Sequence, residues 1–330
     1  MRRDDPGMGS VASFGSVNVD HVRYCKRAFL EYAERYAWFP EAGETRTVEG
    51  IPDEFAAAFD RTFLGGKGAN QAVAAAVAGA DATFLGAVGD DAGEYAVRET
   101  LTDRGVDVAG VERVDGPTGA AYVAVDEDGE NHIAVVPGAN GRVDPAYARR
   151  HADTLRGADC VLLQNELPVA ATLAALDVLA EADGRGDGDA DRPVVVFDPA
   201  PADDAGRVLA HERVDVVTPN DGEYARLEDE LDSFDGVVVR TRGGAGVRVD
   251  RGTRGRRRTD AFEIAPPAVD PIDTTGAGDV FDGYLAAALA DDEPLRDAVR
   301  VATAAAALST TNEGVQTAVP EPQRVADRID

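Results

Sequence analysis

The stretch CVLLQNELPVAATLAALDVLAEA, residues 160–182, sets a short apolar run directly before a longer helical pattern. The same rhythm continues downstream in PVVVFDPAPA, VDVVTPN, DGEYARLEDEL and FDGVVVRTRGG. Strands that alternate with helices in this way predict βαβ units on a mostly parallel sheet covered by helices. We therefore predict an α/β fold whose mostly parallel sheet is flanked by helices.

Upstream of this stretch, two segments depart from the alternating rhythm. VASFGSVNVD (11–20) predicts one buried strand, whereas residues 21–61 are aromatic-rich and predicted to be irregular. AAYVAVDEDGENHIAVVPG predicts a hairpin, because two β-rich runs flank the turn DEDGEN. We expect these segments, roughly 19–64 and 115–136, to form a small lid on one edge of the sheet within a single domain, 1–330. DGRGDGDADR (183–192) predicts a surface loop rather than a domain boundary.

The composition excludes several classes of protein. The formal net charge of -28 argues against nucleic acid or an anionic membrane as a general partner. Only two lysines are present, Lys26 and Lys67, and this acid-rich, lysine-poor composition is typical of a protein that works in high salt. The start MRRDDPGMGS lacks an apolar signal region, no run is long enough to span a membrane, and two cysteines form no disulfide framework. We expect a cytoplasmic protein.

The clearest candidate site is PIDTTGAGDVFDGYLAAALA (271–290), where three small residues precede an apolar helix. Free amides at the N-terminus of a helix bind anions, and Gly276, Ala277 and Gly278 let a phosphate approach the backbone closely. Asp279, in the first turn, is suited to take a proton from a hydroxyl that attacks that phosphate. The alternative is an ordinary first-turn carboxylate after a glycine turn, since short motifs often match by chance.

The segment TFLGGKGANQA (62–72) holds one of the two lysines between glycines. It is not a Walker A loop, because Lys67 is followed by Gly68 where that motif needs serine or threonine. The glycines would instead let amides reach a small polar ligand, and Asn70 would offer a side-chain amide at the next helix. The alternative is a glycine turn whose lysine is exposed to solvent. The scarcity of lysine in the chain argues against this alternative.

Polar residues near strand ends form a second group of candidates. Asn18 and Asp20 lie two apart, so both point to the same side, and an amide with a carboxylate suits the hydroxyls of a sugar. Taken alone, the two residues are explained better as a cap or turn pair. Glu166 follows a buried strand, and ligands of open α/β sheets gather at the carboxyl ends of strands.

Together, the motifs resemble one family in their order along the chain. GSVNVDH, PEAGET, GGKGANQAVAAA, GAVGDDAGE, PGAN, QNELP, DPAPA, TPNDGE and DTTGAGDVFDG occur in the order found in the ribokinase family, from about Val11 to Pro320. The resemblance implies a doubly wound α/β domain with a β lid that often pairs two subunits as a homodimer. It also implies ATP-dependent phosphorylation of a sugar hydroxyl, with the 5-hydroxyl of D-ribose as the expected acceptor.

The resemblance also assigns roles to individual residues. Asp279 matches the catalytic base, and the residues from Gly276 to Gly278 match the anion hole. The family's sugar contacts fall on Asn18, Asp20, Gly66, Lys67, Asn70 and Glu166. The motif that serves phosphate and Mg²⁺ through water falls on Asn220 and Glu223, and the nucleotide loop on Thr241 and Gly243. A loop for a monovalent cation such as K⁺ falls on Asp273, Thr275 and the backbone near Gly314, although Ala318 stands where that loop often has serine.

Two insertions in the expected lid, about 21–40 and 48–63, depart from the family pattern. Their basic side chains include Arg23, Lys26, Arg27 and Arg61, which are unusual in an acidic protein. Ordinary surface charge is one explanation, and a phosphorylated pentose such as ribose 1-phosphate is the other. A nucleoside kinase and a sugar-binding relative without turnover remain further alternatives. The basic run RGTRGRRRTD (251–260) predicts a solvated hairpin tip, and the four histidines show no metal-ligand spacing.

Overall fold

Two main β-sheets and their flanking helices make up the computed structural model, which describes residues 8–42, 44–127, 130–183, 192–250 and 260–329. The strands are β1 (Ser10–Phe14), β2 (Asn18–Tyr24), β3 (Thr45–Thr47), β4 (Arg61–Gly65), β5 (Asp81–Leu85), β6 (Ala87–Val88), β7 (Glu112–Arg113), β8 (Gly119–Val125), β9 (Asn131–Val136), β10 (Cys160–Gln164), β11 (Val194–Asp198), β12 (Val216–Val217), β13 (Val237–Thr241), β14 (Val247–Asp250) and β15 (Phe262–Ile264). The α-helices are α1 (Arg27–Ala33), α2 (Asp53–Ala56), α3 (Lys67–Val77), α4 (Val97–Asp103), α5 (Pro145–Arg150), α6 (Ala152–Gly157), α7 (Val169–Asp183), α8 (Ala205–Leu209), α9 (Asp221–Arg226), α10 (Glu228–Asp232), α11 (Ala277–Ala290), α12 (Leu295–Ser309) and α13 (Pro322–Ala326). Short 3-10 helices cover Gly138–Arg142 and Gly243–Ala245.

The larger sheet confirms the predicted fold class. Its eight strands run in the order β15-β14-β13-β12-β11-β10-β1-β5. All neighbours from β5 to β13 pair in parallel, and only β14 and β15 pair antiparallel at one edge. From β1 the chain proceeds to β5 on one side and later to β10 on the other, so the connection reverses direction at β1. Such a reversal opens a crevice at the carboxyl ends of the strands, where ligands of doubly wound folds bind.

Both faces of this sheet are covered, which explains the continuous apolar runs of its strands. Along β10, Val161 and Leu163 join the core formed with α5, α6, α7 and α8, whereas Cys160 and Leu162 join the core with α11 and α12. All four side chains are 0% exposed. Successive strand residues point to opposite faces, so a strand buried on both sides needs apolar residues at every position.

The predicted single strand 11–20 is wrong in one respect, because it is two strands in different sheets. β1 ends at Phe14, and β2 begins at Asn18 in the second sheet. At Gly15 between them, a Cβ would lie 1.8 Å from Gln164 Oε1 and 2.8 Å from Gly68 Cα. This close approach requires glycine, and here the chain leaves the larger sheet. Asn18 and Asp20 therefore lie at the start of a strand.

The second sheet has five strands in the order β3-β9-β8-β2-β4. The predicted hairpin is confirmed, since β8 and β9 pair antiparallel from Ala120↔Val136 to Val125↔Asn131. Two of its turn residues, 128 and 129, lie outside the described residues. Residues 184–191 of the predicted loop and residues 251–259 of the basic run also lie outside them.

Residues 21–61, predicted to be irregular, contain β3 and the helices α1 and α2. Seven aromatic side chains of this segment form a cluster, here called the aromatic cap: Phe29, Tyr32, Tyr36, Trp38, Phe39, Phe55 and Phe59. Phe55 is 0% exposed and contacts the other six, with ring centroids 4.9 to 6.2 Å apart. Aromatic burial, rather than helix propensity, accounts for these two short helices.

The aromatic cap covers one face of the second sheet. Phe59 contacts Tyr122 at 5.2 Å and Phe39 stacks on His132 at 5.3 Å. Tyr122 pairs with His21, the neighbour of Asp20 on β2, so this face is opposite to the one that carries Asp20. The face with Asp20 is left open toward the crevice. No helix in the described part of the chain is long and apolar enough to cross a bilayer.

Candidate active site

The candidate site lies where α3, α11 and the ends of β1, β10 and β11 meet. Lys67 is the first residue of α3, and its Nζ lies 3.0 Å from Asp198 Oδ2 and 3.7 Å from Asp279 Oδ1. Burial would lower the pKa of Lys67, but the carboxylates of Asp198, Asp279 and Glu166 raise it well above its ordinary value. Lys67 is therefore a permanent cation among carboxylates.

Asp279 occupies the first turn of α11 and is 6% exposed. Its Oδ2 accepts a hydrogen bond from Asn70 Nδ2 at 3.0 Å, and its Oδ1 accepts one from Gln71 Nε2 at 3.2 Å. Burial raises the pKa of Asp279, whereas Lys67 and the two amide donors oppose that rise. The structure thus joins Lys67, Asn70 and Asp279 into one cluster.

Glycines shape the helix N-terminus that carries Asp279. Gly276 precedes α11 with a φ of 72°, a conformation that favours glycine, and a Cβ there would lie 2.2 Å from Val315 Cγ1. Gly278 is exposed, whereas Asp279 behind it is buried. The first amides of a helix lack intrahelical partners, so an anion can approach Gly276, Ala277 and Gly278 from the open side.

Asp20 faces the same crevice from β2. Its Oδ1 is buried and has no hydrogen-bond partner among the described residues. Burial, and then the carboxylates of Glu166 and Asp279, raise the pKa of Asp20 from 3.8 to about 7. A Cβ at Gly65 would lie 1.9 Å from Asp20 Oδ2, so glycine leaves the room for this carboxylate. A ligand hydroxyl would supply the missing hydrogen-bond donor.

Asn18 and Glu166 are held from behind by neighbouring backbone and side chains. Asn18 Oδ1 accepts from Asn140 Nδ2 at 2.8 Å, which leaves the Asn18 NH2 group to donate elsewhere. Glu166 Oε2 accepts from the Lys67 amide at 3.1 Å and from the Ser16 hydroxyl. Gly66, with a φ of 89°, lies so close to β2 that a Cβ would be 2.6 Å from Val17 Cα. All six predicted sugar contacts therefore lie around one crevice.

Asn220 and Glu223 form the N-terminus of α9. Asn220 Oδ1 accepts from the Glu223 amide at 2.9 Å, and Glu223 Oε2 accepts from the Asn220 amide at 2.8 Å, which is a capping box. Burial, followed by the Asp198 carboxylate, raises the pKa of Glu223. Asn220 and Glu223 therefore stabilise the start of α9, and Glu223 also lies near the carboxylate of Asp198. Thr241 bridges to Asn220, and Gly243 follows with a φ of 50°.

Asp273, Thr275 and Gly314 also come together. Asp273 Oδ1 accepts from the Thr275 amide at 2.9 Å, and Oδ2 accepts from the Gly314 amide at 3.2 Å. This carboxylate closes a loop next to Gly276. Among the described residues, no group of three or more histidine, cysteine or acidic side chains is arranged to hold a metal ion.

Several buried polar residues of the site are not among those predicted from the sequence. Asp198 Oδ2 accepts from Lys67 and from Gln71 Nε2, each at 3.0 Å. Burial, and then Asp198, raise the pKa of Asp282 well above its ordinary value. The others are Asn140, Gln164 and Gln316. Asp198 is the last residue of a buried strand, and this position could have identified it as a candidate. Gln71 and Asp282 lie within helices whose sequences are largely apolar, so no local pattern indicates them.

The basic residues of the lid insertions have different surroundings. Arg23 lies over the Phe29 ring at 4.8 Å and donates to the Ala58 carbonyl, and Arg27 pairs with Glu31 at 3.1 Å. Lys26 is exposed. Arg61 pairs in register with Val22, on the face of the second sheet that carries Asp20, and its guanidinium lies 4.9 Å from the Tyr24 ring. Arg61 is thus the one of these four that shares the face of Asp20.

The geometry supports a transfer between an anion and a hydroxyl. A buried carboxylate lies behind a helix N-terminus whose exposed amides suit an anion, and polar groups suited to hydroxyls surround it. Lysine neutralises part of the buried negative charge. Residues 56–322 match the family described as pfkB family carbohydrate kinase.

Individual relatives agree with that match. The chain is 34% identical over 302 residues to ribokinase of Bacillus subtilis, with 88% of this chain and 92% of that protein covered. It is 33% identical over 287 residues to the ATP-dependent ribose-1-phosphate kinase of Halopiger xanaduensis, with 83% and 90% covered. The structure of Arabidopsis thaliana ribokinase complexed with ribose and ATP has a TM-score of 0.76 at 26% identity, with 98% and 99% covered.

Proposed function

Because the chain belongs to the pfkB family of carbohydrate kinases and is an ATP-dependent sugar kinase, we propose that it phosphorylates the 5-hydroxyl of D-ribose. The relatives named ribokinase span most of the chain, which supports ribose as the substrate. The proposed mechanism rests on the position of Asp279, which is buried directly behind the open N-terminus of α11.

In this mechanism, Asp279 accepts the proton of the 5-hydroxyl. The sugar oxygen forms a bond to the γ-phosphorus, the bond from that phosphorus to the β,γ-bridging oxygen breaks, and ADP leaves. The amides of Gly276, Ala277 and Gly278 stabilise the charge on the transferred group. Lys67 opposes the protonation of Asp279, since a cation 3.7 Å away favours the carboxylate.

The sugar lies between β2 and the N-terminus of α3. Asp20 accepts from sugar hydroxyls through its unpartnered oxygen, and Asn18 donates through its free NH2 group. Glu166, Gly66 and Asn70 complete the pocket. Alignment of the acceptor and the phosphate supplies most of the rate, because phosphoryl transfer needs little covalent help from the protein.

The residues predicted to serve magnesium and the nucleotide lie at the start of α9 and the end of β13. Glu223 and Asn220 present oxygens next to the charged cluster, and so small a protein ligand set suits Mg²⁺, which keeps several waters. When bound, Mg²⁺ neutralises phosphate charge. Thr241 and Gly243 contact the nucleotide. The loop of Asp273, Thr275 and Gly314 would hold a monovalent cation such as K⁺.

The second sheet acts as a lid over the sugar and as a dimer contact. Lid segments at roughly 19–64 and 115–136 carry Tyr24 and Phe63, which are 57% and 48% exposed on the face that carries Asp20. Large exposed apolar side chains on an open sheet face support pairing with a second copy.

Analytical ultracentrifugation tests this pairing. We expect the unchanged protein to be dimeric and a Phe63→Glu variant to be monomeric. An unchanged protein that is monomeric contradicts the proposal.

We also assign the protein to the cytoplasm at high salt. ATP is the phosphate donor, the two cysteines are not joined in a disulfide, and the net charge of -28 suits concentrated salt.

An assay of ADP release tests the substrate directly. The panel contains ribose, ribose 1-phosphate, fructose and nucleosides, in concentrated potassium chloride with Mg²⁺ and ATP. We expect ribose to give the highest kcat/KM. Turnover of ribose 1-phosphate without turnover of ribose would exclude our assignment of the substrate.

Ribose 1-phosphate is the second candidate, favoured by Arg61. This arginine lies on the face of the second sheet that carries Asp20, and guanidinium groups bind phosphate well. If a sugar phosphate is the substrate, Arg61→Ala raises its KM, while the equivalent Arg27→Ala on the exposed surface does not.

A further inference from the structure

Two pairs of buried amides meet at the carboxylate of Asp279. Gln316 Nε2 donates to Asn70 Oδ1 at 3.0 Å, and Asn70 Nδ2 donates to Asp279 Oδ2 at 3.0 Å. Gln164 Nε2 donates to Gln71 Oε1 at 2.6 Å, and Gln71 Nε2 donates to Asp279 Oδ1 at 3.2 Å. The exposed fraction of these amide residues is at most 6%. Water therefore does not compete for the hydrogen bonds of either pair.

The direction of each pair follows from hydrogen-bond chemistry. An ionised carboxylate only accepts, so the Asn70 atom that faces Asp279 must be the nitrogen. The oxygen of Asn70 then points away and needs a donor, which Gln316 supplies. Without that donor, the amide of Asn70 is free to turn its oxygen toward the carboxylate.

We propose that Gln316 is a positioning residue that fixes the amide of Asn70, so that Asn70 always presents a donor to the base Asp279. This inference rests on the proposed role of Asp279. Gln316 comes from the loop after α12, distant in sequence from both Asn70 and Asp279, and only the fold brings the three together. The second hydrogen of the Asn70 NH2 group remains available for a sugar hydroxyl, so one residue serves base and substrate.

The charges around Asp279 make its protonation state depend on such donors. Lys67 faces it from α3, whereas the carboxylates of Asp198 on β11, Asp282 on α11, and Asp20 and Glu166 at the crevice all surround it with like charge. The like charges and the burial favour the protonated acid, which cannot act as a base. Loss of one donor therefore shifts the balance toward the inactive form.

The test is the pH dependence of kcat in Gln316→Glu at saturating ATP and sugar. The substitution keeps the shape and, where the new carboxyl group is ionised, replaces the donor with an acceptor, so the Asn70 NH2 group turns away from Asp279. We expect the acidic limb of kcat to move to higher pH by about one unit, since one lost hydrogen bond to a carboxylate has about this effect. The matched control is Gln323→Glu, which makes the same charge change at an exposed position of α13.

The following outcomes distinguish a positioning role of Gln316 from no such role. An unmoved acidic limb in a folded Gln316→Glu variant, or an equal shift in Gln323→Glu, overturns the proposal. Gln316→Met removes the donor without adding charge, and the same direction of shift is required of it, because a new negative charge at position 316 would by itself raise the pKa of Asp279. If the unchanged protein phosphorylates no sugar, the proposed function fails by itself. Carbon-13 NMR titration of the Asp279 carboxyl, assigned by its loss in Asp279→Asn, then tests Gln316, and an equal pKa with and without Gln316→Glu overturns the inference.

Discussion

At the scale of single residues, one lysine balances several buried carboxylates. Lys67 lies 3.0 Å from Asp198 and 3.7 Å from Asp279, although the chain otherwise uses arginine for nearly all its basic side chains. An arginine fork is planar and wider than an ammonium group, and Lys67 is confined between Gly66 and Gly68. A compact cation at the start of α3 is therefore what this site requires.

Replacing each lysine by arginine tests that requirement. We expect Lys67→Arg to lower kcat/KM by at least about tenfold, equivalent to about 1.4 kcal/mol, because the fork cannot contact both carboxylates in the same space. Lys26→Arg, at an exposed position, is the matched control and should change little. Equal effects of the two substitutions in the coupled ADP assay would contradict the role given to Lys67.

Asp279→Asn tests the proposed base. The amide keeps the shape but cannot accept the hydroxyl proton, so we expect kcat to fall roughly 10²–10⁴-fold. ATP binding, measured by calorimetry, should remain, because the anion site consists of backbone amides. Near-normal turnover in this variant would exclude Asp279 as the base.

Asp20→Asn links the pH dependence of stability to the sugar site. Folding raises the pKa of Asp20 from 3.8 to about 7, so between these values the folded protein retains a proton that the unfolded chain has released. Stability is therefore lost as pH rises through this window. In the absence of sugar, we expect the Asp20→Asn variant to unfold a few degrees higher than the unchanged protein at about pH 8, and at the same temperature near about pH 4.

The same substitution should weaken the binding of sugar, because an asparagine side chain offers only one acceptor oxygen where the carboxylate has two. Thermal unfolding with and without ribose measures both effects. A variant that is less stable than the unchanged protein at every pH would show that Asp20 is not destabilised by its surroundings.

At the scale of elements, the contact between α3 and α11 builds the charged cluster. A Cβ at Gly283 would lie 2.4 Å from Ala74 Cβ and 2.6 Å from the Gln71 carbonyl, so the two helices approach where only glycine fits. This close approach brings the side chains of Asn70 and Gln71 to Asp279. Backbone packing thus sets the distances on which the proposed chemistry depends.

The aromatic cap makes a prediction at the same scale. Phe55 is 0% exposed at its centre, so Phe55→Ala should destabilise the protein by about 3–5 kcal/mol through the lost contacts and the cavity. Ile272→Ala, at a side chain that is 68% exposed, is the control and should cost much less. Denaturant unfolding measures both, and similar losses for the two variants would contradict a packed cap.

At the scale of the whole molecule, net charge determines the response to salt. A formal charge of -28 on 330 residues makes the compact state repel itself at low ionic strength. Screening acts over about 10 Å at 0.1 M salt and about 3 Å at 1 M, so the repulsion weakens as salt increases.

Thermal unfolding across a salt series tests this. We expect the midpoint to rise by several degrees between about 0.1 M and 1 M potassium chloride, and to rise equally in sodium chloride, since screening does not distinguish the cations. Activity should favour potassium if the loop of Asp273 and Gly314 binds it. A midpoint that does not change with salt would contradict charge repulsion as a limit on stability.

Local sequence patterns predicted many of the strands and helices, because the apolar and polar positions along an element reflect which of its faces are buried. The apolar run of β10 predicted a strand buried on both faces, and the ordered motifs predicted the family. The break after Phe14 was missed, because the reason for it is a close approach to Gln164, which is remote in sequence. The two helices of the aromatic cap were missed for a similar reason: their stability comes from contacts to Phe55 rather than from their own propensity.

Periodicity and motifs within a few residues were sufficient to predict the α/β class, the proposed anion site before α11 and the group of candidate residues. Only the tertiary structure decided that Lys67 lies between Asp198 and Asp279, that Arg61 shares the face of Asp20, and that Gln316 holds Asn70. Such contacts join residues far apart in the chain. Their distances depend on how closely helices and strands pack, which no local pattern encodes.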